Sequence, residues 1–276
     1  MMGFVMLVFF SFIAGLIYSS IIYATVPYKI INIKVAMGYL LGGSIAIAGV
    51  LGVHDLFPWW LSLGETITKA LFDITWLSDI FYLQITYFLQ VGFLEEFMKI
   101  AVFLIYGLVR NQRGDHPVST MFYMMMVSMG FGLVENYRYA IDSIGSQFPH
   151  PFQVLTIRTF TTTIGHMVFG LIAGFWIALG RIPPKSDYSR SWFDVVIKKR
   201  PKIRKWFYIT IGLIGATIFH GIYNFNNITF GAQSLGILYI QLIIGLLASS
   251  LCFQYLNKSY RKHQKKLNKR LKVSEK

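Results

Sequence analysis

Apolar stretches of about twenty residues recur along most of this chain, separated by short polar or basic segments. A helix of that length crosses the hydrocarbon core of a bilayer. The pattern predicts about seven spans, over approximately 4–25, 35–53, 80–109, 118–138, 155–180, 207–227 and 232–256. The expected fold class is all-α, a polytopic transmembrane helix bundle. Residues 1–257 read as a single transmembrane domain and 258–276 as a basic tail. The first stretch has no basic leader and no small-x-small cleavage site, so it reads as a retained span. Between the second and third stretches, His54 to Ser78 mixes Pro58, Trp59, Trp60, Leu63, Ile67, Leu71 and Trp76 with charges. That mixture suits an amphipathic helix lying at the outer interface. No internal repeat or low-complexity linker marks a second domain.

Composition strengthens this picture. Hydrophobic residues make up 55% of the chain and charged residues 14%, against about a quarter charged in soluble domains. Mean hydropathy is +0.54. The net charge of +14 would suit nucleic acid if it formed one patch. Most of it lies instead in the Arg181–Lys205 loop and the tail after Asn257, beside apolar spans, as the positive-inside rule expects. Lys29, Lys34, Arg110 and Arg113 fall on the same side as both segments if seven spans alternate. Asp55, Glu65, Asp73, Asp79 and Asp142 fall on the other. The N-terminus is therefore expected outside and the C-terminus in the cytoplasm, with the tail touching anionic lipid. The single Cys252 excludes a disulfide framework and a cysteine-based zinc site.

Against this background the polar residues inside spans stand out, since each ionised side chain at depth costs about 2.5–3.5 kcal/mol even on the lenient insertion scale. Glu95 and Glu96 are adjacent in the middle of the third stretch, and Lys99 lies a turn on, within reach of either. The pair resembles an acid/base couple sharing a proton; a buried Glu–Lys pair that fixes packing is the alternative, although packing needs only one glutamate. Glu135 and Asn136 follow Gly130 and Gly132, which allow close helix approach. Glu135 lies near the outer end of its span, so an interfacial glutamate is an equal reading. Arg158, Thr162 and His166 fall at i, i+4 and i+8 along one helix face, with Thr159 and Thr163 beside them. His220 and Asn224 share a face one turn apart, and can bind a metal, hold a water, donate to an oxyanion or simply lock two helices. At helical rise, His220 lies roughly 10 Å, His166 roughly 15 Å and the glutamates roughly 20 Å below the outer surface. The four clusters can thus meet in one cavity in the outer half or middle of the bilayer.

Glu-Glu-x-x-Lys, Phe-x-x-x-Glu-Asn, a histidine in the next span and His-Gly-x-x-Asn-Phe, in that order over about 95–225, resemble the PrsW family of intramembrane proteases. That family is distantly similar to type II CAAX prenyl endopeptidases and to the anterior-pharynx-defective scaffold of γ-secretase. The resemblance implies a family-like core over about 80–227, with Glu95, Glu96, His166 and His220 as the catalytic set. Lys99, Glu135, Asn136, Arg158 and Asn224 would support them. It also implies a bacterial-type plasma membrane and a single-span membrane protein as substrate, an anti-sigma-factor-like regulator being one example. The first span and the Trp-rich loop carry none of these motifs.

Other protease chemistries lack their residues. There is no His-Glu-x-x-His, no aspartate within a span and no Gly-x-Ser-x-Gly. Two mechanisms remain open. Either His166, His220 and a glutamate hold zinc or another divalent metal, or a glutamate acts directly as general base while His220 and Asn224 stabilise the oxyanion. Three other functions compete: a non-enzymatic scaffold or immunity-type relative, a proton pathway, and a prenyl-protein endopeptidase. The last expects a site open to the cytoplasm, and a proton pathway lacks its usual inverted repeat.

Overall fold

The computed structural model describes residues 2–24, 26, 30–57, 66, 91–110, 116–144, 151–182, 201–230 and 235–274. These residues are helical throughout, apart from short turns and caps. The helices are α1 (Met2–Ala24), α2 (Ile33–Leu56), α3 (Leu94–Val109), α4 (Pro117–Asp142), α5 (Pro151–Phe160), α6 (Thr162–Arg181), α7 (Pro201–Phe230) and α8 (Leu235–Ser274). Among the described residues, five stretches are long and apolar enough to cross a membrane: Ile33–Leu56, Pro117–Asp142, Pro151–Arg181, Lys202–Asn227 and Gly236–Lys262. The proposed interfacial helix lies almost wholly outside the described residues, as does the first part of the expected third span. α8 runs without a break through residue 257, where the tail was expected to begin.

Local sequence explains where several helices start. Asn32 caps α2, its Oδ1 accepting from the amides of Lys34 and Val35. His116 caps α4 through Nδ1, which accepts from Val118 N, and Pro117 follows at the first helical position, where no amide is needed. Burial, then the nearby charge of Arg261, pushes the His116 imidazole down to about 4.

α4 is the centre of the bundle. α2 packs on one side of it, α6 on the other, and α7 and α8 lie against α6. Lipid tails are as apolar as leucine, so such packing depends on close contact rather than on escape from water. At the α2–α4 crossing Gly43 meets the backbone of Val127 and Gly130 that of Leu40, and a Cβ on either glycine would overlap a carbonyl oxygen. Met121, Met124, Met125 and Met129 fill the remaining space, all fully buried.

The expected single helix over 155–180 is interrupted. Thr161, at φ −111° and ψ −66°, separates α5 from α6. The i→i+4 bonds from Thr161 N to Ile157 O (3.0 Å) and from Gly165 N to Thr161 O (2.8 Å) persist across the step. Arg158 and His166 nevertheless share a face, since both reach Glu135 Oε2, at 2.9 Å and 2.7 Å.

Candidate metal and catalytic centre

Glu95 and Glu96 occupy the first turn of α3, immediately after a wider π-type turn at residues 91–93. Such turns are rare and often accompany functional sites. Both side chains point inward, Glu96 being completely buried and Glu95 6% exposed. Glu96 Oε1 accepts from Lys99 Nζ at 2.8 Å and lies 2.9 Å from His220 Nδ1. Glu95 Oε2 is 3.6 Å from Lys99 Nζ and 3.8 Å from His220 Nε2. Among the described residues, Oε2 of each glutamate is buried without a hydrogen bond. A buried carboxylate oxygen left unmatched is costly, and it marks where the site can accept another donor or a cation.

His166 brings in the second half of the centre. Its Nδ1 is 2.9 Å from Lys99 Nζ and its Nε2 is 2.7 Å from Glu135 Oε2. Glu135, near the end of α4, has a side chain 13% exposed and paired with His166 and, at 2.9 Å, with Arg158 Nη2. Arg158 also meets the neighbouring residue of α4. There its Nε donates to Asn136 Oδ1 at 3.0 Å, while Asn136 Nδ2 donates to Thr163 Oγ1 at 2.8 Å. The guanidinium also lies 3.8 Å from the Tyr139 ring centre, an arrangement that a lysine would not reproduce.

Apolar neighbours fix the ring orientations. Phe169 stacks on His220 at 4.8 Å, and Lys99 Nζ stands 4.1 Å from the Phe131 ring centre. Gly132 lies directly beneath His166, where a Cβ would come within 2.7 Å of Cδ2. Phe131 and Gly132 belong to the second motif read from sequence, whereas Phe169 was not singled out there. Phe169 could have been, because it lies three residues after His166 on the same helical face. Asn224 is half-buried one turn after His220 and makes no hydrogen bond among the described residues.

Four separate motifs from α3, α4, α5–α6 and α7 thus form one buried cluster. Within it Glu95, His166 and His220 each offer a donor atom, all within 4.8 Å of one another. Two imidazoles and a carboxylate are a common protein ligand set for catalytic zinc, and the unmatched Glu95 oxygen fits such a cation. A family model described as PrsW family intramembrane metalloprotease matches residues 5–250. The chain belongs to the PrsW family. No curated protein and no solved structure matches it. Membership makes the chain an intramembrane protease, embedded in a bilayer and acting on membrane-protein substrates. The PrsW match also takes in most of α1 and all of α2, beyond the stretch where the motifs are recognisable.

Proposed function

We propose that this PrsW protein is a metal-dependent endopeptidase that cuts a single-span membrane protein near the outer face of the bilayer or within it. Glu95, His166 and His220 would hold a divalent ion such as zinc. When bound there, the ion acidifies a water towards a pKa of about 7 and polarises the scissile carbonyl. Glu96 orients His220 through Nδ1, and its second oxygen takes the proton of the attacking water. Glu135 fixes the His166 ring, Arg158 (itself held by Asn136) holds Glu135, and Asn224 donates to the developing oxyanion. Lys99 balances the carboxylate charge. The observation carrying this reading is the burial of two glutamates and two histidines in mutual contact inside an apolar bundle, where charge is retained only at a cost.

Topology belongs to the same proposal. Arg110, Arg181 and Arg204 stand at helix ends opposite the site, and basic ends face the cytoplasm. Seven spans with the N-terminus outside would then open the site outward. Residues 1–257 would form one domain with a cytoplasmic basic tail in a bacterial-type plasma membrane. An anti-sigma-factor-like regulator fits such an outward-facing site.

The test compares membrane proteomes of cells making the wild type or a Glu95→Gln/Glu96→Gln variant at matched levels. Outer domains of single-span proteins should be shed with the wild type alone. Identical fragments, with the variant inserted and folded, would leave a scaffold as the better account.

A further inference from the structure

The two histidines are wired in parallel. Each has one ring nitrogen against a carboxylate: His220 Nδ1 on Glu96 at 2.9 Å and His166 Nε2 on Glu135 at 2.7 Å. Metal-binding histidines almost always give their second nitrogen to such an outer partner. The nitrogens left for an ion are therefore Nε2 of His220 and Nδ1 of His166. The first faces Glu95 Oε2 at 3.8 Å. The second faces the Lys99 ammonium at 2.9 Å. A divalent ion and an ammonium cannot share that side of the ring, because both the volume and the charge conflict.

We propose that Lys99 and the divalent ion are rival counter-ions for one position, the Nδ1 side of His166. Loading the ion requires the Lys99 ammonium to give up His166 while it keeps Glu96. This rests on the metal-dependent reading above. Charge counting supports it. The cluster holds three carboxylates, Glu95, Glu96 and Glu135, against the two fixed cations Lys99 and Arg158. With Lys99 alone the pocket carries one negative charge in excess, and with an added divalent ion one positive, so neither state leaves a large uncompensated charge at depth. Lys99 has somewhere to go, since its Nζ already lies 2.8 Å from Glu96 Oε1 and faces the Phe131 ring. Lys99 thereby sets the affinity of the site as well as its balance. A weakly held ion is the consequence.

The experiment uses the full chain purified in detergent and titrated with cobalt(II), with visible absorption and competition against a chromophoric chelator as readouts. Lys99→Met should bind cobalt at least about tenfold more tightly than wild type, because a repelling charge is gone and Glu96 is left unmatched. Lys99→Arg, which keeps the charge, should bind no more tightly than wild type. Thermal unfolding gives an independent reading: Lys99→Met should be the less stable protein without added metal and should gain more from cobalt than wild type gains. If Lys99→Met does not fold, Lys99→Gln carries the same expectation. Equal cobalt affinity in wild type and Lys99→Met would overturn the rivalry and leave the metal site standing. Failure of every protein to bind cobalt, with Glu95→Gln indistinguishable from wild type, would overturn the metal-dependent reading and the rivalry with it.

Discussion

The two ends of this bundle both place polar groups among apolar helices, and they do so by opposite means. At the end bearing Arg110 and Arg181, Tyr39 stacks between Phe103 and Tyr123, each at 5.1 Å, with Tyr106 edge-on at 4.7 Å. Arg110 lies 5.5 Å from the Tyr123 ring centre, Arg181 Nη1 donates to Thr120 Oγ1 at 2.7 Å, and the Tyr123 hydroxyl accepts from Asn32 N at 3.0 Å. Aromatic faces and a hydroxyl meet the cations there. At the other end, carboxylates and imidazoles crowd together with two glutamate oxygens unmatched. The first arrangement is one that packing alone would favour. The second is expensive as packing and makes sense as chemistry.

Substitutions can test whether the ends divide labour in this way. The largest effect is expected at the glutamates, where Glu95→Gln or Glu96→Gln should each lower substrate cleavage by about a thousandfold. The two should part on metal content, with Glu95→Gln losing the bound ion and Glu96→Gln keeping it; equal metal loss in both would make Glu96 a ligand instead. Gly132→Ala should come next. A methyl there pushes His166 away, and a shift of about 1 Å can cost up to about a hundredfold in turnover, while the unfolding temperature should change little. Unaltered cleavage would show that His166 has slack. At the opposite end, Arg181→Met should leave cleavage near wild type and lower stability by about 1 kcal/mol through the lost Thr120 bond, measured by thermal unfolding.

The smallest effect concerns pH. The His116 imidazole is held down at about 4 in the fold, against 6.5 ordinarily. A group depressed in this way contributes stability above its unfolded value, and that stability is lost as the pH falls through the window from about 6.5 to about 4. The physical cause is direct, because a protonated Nδ1 cannot accept from Val118 N. His116→Asn keeps a cap that does not titrate. Its unfolding temperature should therefore fall less than that of wild type over the same window, and parallel curves would remove His116 from the account.

Sequence disclosed the helices and the meeting of the four motifs, because bilayer length and the cost of charge at depth are both legible in one dimension. The i, i+4 reach of Glu95 to Lys99 is local and could be read from spacing. What stayed hidden depends on how helices rotate and step against one another. The Glu135–His166 pair joins α4 to α6, and spacing within either helix does not reveal it. The Arg158–Asn136 contact joins α5 to α4 and depends on how those helices face each other. Lys99 read as a partner for either glutamate, but its approach to His166 follows from the packing of α3 against α6. Asn224 shows the reverse case, since a correct spacing from His220 did not produce a hydrogen bond.

The enclosure of α4 bears on how the protein is made. Within its apolar window 89% of residues are buried, against 28% in the Gly236–Lys262 window. A helix wrapped in protein on nearly all sides has few contacts of its own with lipid, and it carries Ser119, Thr120, Ser128 and Asn136 fully buried. During synthesis it emerges before α6 and α7 exist to cover it. For that interval its hydroxyls and amide must either face lipid or shelter against α2, to which the glycine crossing already fits it. Biogenesis therefore has a vulnerable moment at the end of α4, and a delay in delivering α6 would expose the half-built centre to quality control.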